Sequence, residues 1–123
     1  MLSAPTMSQY AAVGALKNAD HDREEMVTEY QMRRNLFVRG LNRVGLTCHL
    51  PPRGAFYAFP SIKDFGLSDV EFAERLLKEQ HVAVVPGSVF GPSGDGHLRC
   101  AYAVSREDLR ESVRRIEAFI ASL

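Results

Sequence analysis

A surplus of charge is what this sequence lacks first. Fifteen Lys and Arg cancel fifteen Asp and Glu over 123 residues. A general nucleic-acid binder needs a basic excess to displace counterions from phosphates, and a polybasic membrane anchor needs one too. Neither is expected. No apolar run approaches the ~18 residues that cross a bilayer. The opening MLSAPTMSQY has no basic flank and no continuous apolar stretch, so no signal peptide is expected. Cysteine is scarce. Cys48 and Cys100 are too few for a disulfide scaffold in a chain this long. They read as reduced, small core residues of a cytoplasmic protein, with a single disulfide left open. His21, His49, His81 and His97 show no ligand spacing with them, so no metal is expected. Lysine is scarce as well, with only Lys17, Lys63 and Lys78. No Gly-Lys-Ser/Thr follows the glycine-rich stretch 87–96, which excludes a P-loop. There is no repeat and no low-complexity tract.

What is present reads as one globular domain of ordinary composition, 46% apolar and 24% charged. Thr6 with Gln9 predicts a capping box ahead of a short, alanine-rich helix that ends near Asn18. A longer helix is predicted from Asp20 or Asp22 to Val44, with a stripe of Met26, Tyr30, Phe37, Leu41 and Val44 and a stop at Gly45. Its length, roughly 35 Å at ~1.5 Å per residue, exceeds what a small domain needs and predicts a connector between two bodies. Four strands are predicted: LTCHL (46–50), AFYAFP (55–60), VAVV (82–85) and HLRCAYA (97–103). The second is apolar on both faces and is expected to be central. Ser68 with Glu71 and Ser105 with Asp108 cap two further helices. The first of these is expected to bury Val70, Phe72, Ala73, Leu76 and Leu77, the last Leu109, Val113, Ile116 and Ile120. The order predicts an α+β fold: a small mixed or antiparallel sheet of about four strands covered by helices, preceded by the long helix.

One residue does not fit a core strand. Alternation in 97–103 sends Leu98, Cys100 and Tyr102 to the core and His97, Arg99, Ala101 and Ala103 to the other face. An arginine flanked by alanines on a rigid strand can present its planar fork to a carboxylate or phosphate. From this strand alone the commoner case, a solvated arginine on an open sheet face, is the expected one.

Several motifs, in order, carry a resemblance. Pro52 precedes Gly54-Ala55-Phe56-Tyr57. Val82 precedes Pro86-Gly87 and Phe90-Gly91. Gly94 or Gly96 precedes Arg99 and Ala103. This series, together with SAPTMSQYAAVGAL and YQMRRNLFVRGLNRVGL upstream, resembles the C-terminal part of the class I/II, fold-type I, pyridoxal-phosphate-dependent aminotransferases over essentially the whole chain. The resemblance implies that Arg99 binds the α-carboxylate of an amino-acid or 2-oxo-acid substrate and that Phe90 lies near the substrate. It implies residues 1–18 as the tail of a large cofactor-binding domain and 19–123 as the small domain, with 20–44 as the connecting helix. It implies pyridoxal phosphate in the parent enzyme, a homodimer, and no membrane or nucleic-acid partner. The family's cofactor lysine lies in a Ser/Thr-rich setting followed by arginine, which none of the three lysines has. The chain alone is therefore expected to carry no cofactor-binding or catalytic residue and to be inactive.

Other residues stay open between two readings. Tyr57 and Phe56 lie on opposite faces of one strand, so one is expected in the core. His97 shares the face of Arg99 and is expected to be exposed. Arg33 and Arg34 fit a solvated helix face or pairs with acids. Arg106, Arg110, Arg114 and Arg115 are balanced by Glu107, Asp108, Glu111 and Glu117 as a salt-bridged surface. Exposed apolar surface is expected along residues 1–45, and hence self-association. Three alternatives stand beside the transaminase: a carbon–sulfur lyase or decarboxylating relative, a free-standing anion-binding or interaction module, and a regulatory amino-acid-binding domain.

Overall fold

The computed structural model describes residues 3–49 and 51–123. The chain divides into two compact units, 1–31 and 32–123.

The first unit is helical. Helix α1 runs Thr6–Asn18 and buries no residue. The expected capping box does not form. Pro5 is the N-cap, Thr6 is already helical, and the Gln9 amide donates back to the Ala4 carbonyl at 2.8 Å. Proline at the cap has no side-chain acceptor, so the orphan amides are left to the backbone and solvent. Met7, Tyr10, Val13 and Leu16 are all exposed, Leu16 to 88%. Helix α2, Asp20–Arg43, begins in this unit, where Met26 and Val27 are also exposed.

The second unit holds the core. The C-terminal half of α2 contributes Phe37, Val38 and Leu41. The predicted stripe is therefore buried only here, and Met26 is not part of it. Gly45, at φ +91°, ends the helix. The Leu46 amide returns to the Leu41 carbonyl and the Gly45 amide to Asn42, which satisfies the last carbonyls in a Schellman arrangement. At Gly40 a Cβ would lie 2.7 Å from a Val113 methyl, so glycine sets the close approach of α2 to the C-terminal helix, Arg106–Ile120.

The sheet is antiparallel and has three strands, β1 (Tyr57–Ala58), β2 (Val85–Pro86) and β3 (Leu98–Ala101), in the order β1-β3-β2. It is shorter than expected. LTCHL contributes one bridge, Thr47 to Ser61, and Leu50 lies outside the described residues. The 55–60 strand is not the central one, because β3 is. Pro60 has no amide for the ladder, yet the register resumes beyond it at the Ser61–His97 bridge. VAVV pairs only at Val85, and none of its four residues is fully buried.

Helices α3 (Asp69–Gln80) and α4 (Arg106–Ile120) complete the core. Ser68 and Ser105 accept from the amides of Glu71 and Asp108 as expected. Phe72 and Phe119 meet edge to face at 5.0 Å. Truncating Phe72 to alanine is expected to cost ~3–5 kcal/mol. Val70 and Leu77 are half exposed instead of buried, and Phe119, not Ile120, is the last residue of α4 in the core. A helix face is about four residues wide in two turns, and the expected α3 set was broader than that.

Candidate functional site

Strand β3 alternates as read. Leu98, Cys100 and Tyr102 are buried, and Arg99 is half-buried on the opposite face. Val85 is directly opposite Arg99 in the ladder, so the arginine is mounted on the middle strand of the sheet. Its Cζ lies 4.6 Å from the Tyr57 ring and 4.8 Å from the Phe90 ring, both within cation–π reach. Tyr57 comes from β1, and Phe90 from the 3-10 turn Gly87–Phe90 that follows β2. Phe59 extends the aromatic rim. It stacks on His97 at 5.4 Å and meets Phe90 at 6.3 Å. Among the described residues no carboxylate pairs with Arg99. A guanidinium with aromatic rings against it and no ion pair keeps donors available for an incoming carboxylate.

The turns around it are held from below. Gly87 and Gly94 pack backbone to backbone: a Cβ on Gly94 would fall 2.0 Å from the Gly87 carbonyl oxygen. The Gly87 amide donates to the His97 carbonyl at 2.8 Å. The rest of the glycine-rich stretch folds into a second 3-10 turn, Pro92–Gly94, seated on the first. Asp69, 2% exposed, is the buried charged residue among the described residues. One of its carboxylate oxygens accepts from the Ser88 amide at 2.6 Å and the other from the Val70 amide at 3.1 Å. Burial pushes its pKa up, but the hydrogen bonds from Ser88 and Val70 outweigh it and leave the carboxyl below its ordinary range.

The remaining candidates separate. Neither Phe56 nor Tyr57 is core; Ala58 takes that place, because β1 turns only one residue fully inward. His97 is half-buried under Phe59, with Nδ1 2.9 Å from the Asp95 carbonyl. Arg34 spans to the Pro52 carbonyl at 3.2 Å and to Asn35, so it braces the stretch 51–54 instead of meeting an acid. Ala55, which follows that stretch, sits at φ +56°, and the Tyr102 hydroxyl donates to its carbonyl at 3.1 Å. On α4, Glu111 accepts from Arg114 and Arg115 at 2.7 and 2.8 Å, as the balanced charges implied.

Sequence reading missed Phe59, Asp69 and Ser88. Phe59 follows Tyr57 by two residues, so strand alternation alone puts it on the same face. Asp69 looks like any acid in the first turn of a helix, and nothing local marks its partner 19 residues on.

A family model described as aminotransferase class I and II matches residues 1–116. The chain belongs to the class I and II aminotransferase family. It is 57% identical over 120 residues to "Putative aminotransferase YugH" of Bacillus subtilis (strain 168), covering 98% of this chain and 31% of that protein. It is 49% identical over 114 residues to aromatic-amino-acid aminotransferase 2 of Thermococcus litoralis, covering 91% of this chain and 29% of that protein. Among solved structures, an aminotransferase from Mycobacterium tuberculosis superimposes with TM-score 0.89 at 32% identity, over 100% of this chain and 32% of that one. The aromatic aminotransferase from Pyrococcus horikoshii OT3 gives TM-score 0.86 at 46% identity, over 93% and 31%. The chain spans just under a third of the length of these relatives. Its α+β fold is the one they contain.

The family implies pyridoxal phosphate, and the lysines here do not fit it. A cofactor lysine is desolvated in a pocket, whereas Lys17, Lys63 and Lys78 are all exposed. Lys63 lays its stem over Gly96, and Lys78 pairs with Glu74 at 3.3 Å.

Proposed function

We propose that these residues are the small domain of a pyridoxal-phosphate-dependent amino-acid aminotransferase, with the tail of its large domain at 1–18 and the connecting helix at 20–44. Arg99 binds the α-carboxylate of the amino-acid or 2-oxo-acid substrate, and Phe90 borders the bound substrate. The carrying observation is a guanidinium on the middle strand, set against Tyr57 and Phe90 with no acidic partner among the described residues. A rigid strand fixes the direction of the fork, so a bidentate pair orients the substrate as well as holding it. Domain closure on that pair would exclude water from the reacting centre. Pyridoxal phosphate supplies the electron sink in such enzymes. Its lysine belongs to the large domain, because none of the three lysines here fits, and the 123 residues by themselves do not transaminate. The exposed apolar face of α1 favours this reading over a free-standing module, which would cover its own helices. The parent is read as a cytoplasmic homodimer, and two free, buried thiols suit a reducing compartment.

Two measurements test it. Titration of the chain with 3-phenylpropionate, followed by NMR, is expected to show millimolar binding that Arg99→Ala abolishes. Incubation with pyridoxal phosphate and borohydride is expected to label no lysine stoichiometrically. Binding that survives Arg99→Ala refutes the arginine's role. A single stoichiometrically labelled lysine refutes the placement of the cofactor elsewhere.

A further inference from the structure

We propose that Asp69 is the positioning residue for Arg99: its buried carboxylate grips the Ser88 amide and so fixes the 3-10 turn that sets the Phe90 ring against the guanidinium. The proposal rests on the reading of Arg99 given above and adds a residue that does not touch the substrate.

The chain of contacts is short. Asp69 is the first residue of α3, with the Ser68 cap before it and the helix amides around it. A carboxylate is favoured at that position by the helix dipole, but an exposed aspartate would serve as well. This one is 2% exposed, and its Oδ2 reaches out of its own helix to the Ser88 amide at 2.6 Å. A charge-assisted bond of that length is about twice as strong as a neutral one. Ser88 is the second residue of the turn Gly87–Phe90, and Phe90 is the last. Gly87 is in turn tied to the His97 carbonyl and wedged against Gly94. The turn is thus fixed from the β3 side by Gly87 and from the α3 side by Asp69. Phe90 leaves it 51% exposed, with its ring against Phe59 and Arg99. A ring that exposed depends on its backbone for its place.

Burying a carboxylate is costly unless it is hydrogen-bonded, and here each oxygen accepts a backbone amide, Oδ1 from Val70 and Oδ2 from Ser88. Asparagine would keep the shape and lose the charge. Alanine would leave the Ser88 amide without its partner.

The test is NMR on the 123-residue chain, wild type, Asp69→Asn, Asp69→Ala and Phe90→Ala. In the wild type the Ser88 amide is expected to be protected from exchange, and the Arg99 side-chain protons to be shifted by the rings and to show Overhauser contacts with Phe90. In Asp69→Asn those contacts should weaken and the Arg99 shifts should move toward their Phe90→Ala positions. Affinity for 3-phenylpropionate should fall about 2- to 10-fold, the effect of having to immobilise one more side chain on binding. A purely structural role would lower the unfolding temperature and leave the Arg99 shifts of the folded chain in place, and that result overturns the proposal. If both Asp69 variants fail to fold, exchange in the wild type decides, because a freely exchanging Ser88 amide also overturns it. Should 3-phenylpropionate bind equally well to Arg99→Ala, the carboxylate reading fails, while the Arg99–Phe90 contacts still report on Asp69.

Discussion

Replacing Gly94 with alanine perturbs the two turns where they can least absorb it. A Cβ there would stand 2.0 Å from the Gly87 carbonyl oxygen and 2.6 Å from its carbon, and real Cβ contacts essentially never fall below 3.0 Å. The two backbones must therefore separate by about 1 Å, the difference between 3.0 and 2.0 Å. Both sides of the contact are main chain, so no side chain can swing away. Overpacking costs ~1–3 kcal/mol in ordinary cores, and a backbone pair belongs at the upper end, about 3 kcal/mol. For a chain of this size that lowers the melting temperature by about 10–15 °C. The shift would also strain the hydrogen bonds that the Gly87 amide donates to the His97 carbonyl and the Ser88 amide to Asp69. Thermal unfolding followed by circular dichroism measures it. Gly54→Ala is the control: nothing lies within 4 Å of a Cβ there and its φ is not in the left-handed range, so its melting temperature should stay within about 2 °C of wild type. If Gly94→Ala melts as Gly54→Ala does, the two turns are not packed as described and the account of what holds Phe90 falls with them.

Burial raises the thiol pKa of Cys48 to about 11, partly offset by a Phe59 amide, and burial with the neighbouring Cys48 raises Cys100 to about 12. Iodoacetamide at pH 8 should modify neither cysteine in the folded chain and both in denaturant; mass spectrometry decides. Hydrogen bonds from Arg114 and then Arg115 hold Glu111 at about 2 instead of 4.5. A carboxyl lowered on folding stabilises above its unfolded value, and that contribution disappears as pH falls from about 4.5 through about 2. Carboxyl-carbon NMR should find the titration there, and Arg114→Ala should move it up. Exposed Met7, Tyr10 and Leu16 should drive concentration-dependent association, and Met7→Lys with Leu16→Lys should shift gel-filtration elution toward the monomer.

Sequence patterns with a strict local period carried far. The Ser68 and Ser105 caps and the stop at Gly45 were legible because each is a contact within a few residues. The two faces of 97–103 were legible because strand alternation has a period of two, and that placed Arg99 opposite the core. The motif series around it identified the family. What failed was whatever depended on neighbours. LTCHL and VAVV have strand composition, yet pairing is decided by the partner, and each found one at a single residue, Thr47 and Val85. Thr6 looked like a cap, but Pro5 took the position.

By itself, then, the sequence determined the four helices, the caps of α3 and α4, the stop of α2, the inward face of the last strand and the family. The tertiary structure alone decided that β3 is the middle strand, that the Tyr57 and Phe90 rings both lie against Arg99 with Phe59 meeting Phe90, and that Asp69 reaches across 19 residues to hold the turn that carries Phe90. The physical reason is range. Caps and alternation are local hydrogen-bond and steric rules, whereas a site is built from segments distant in sequence that burial brings together.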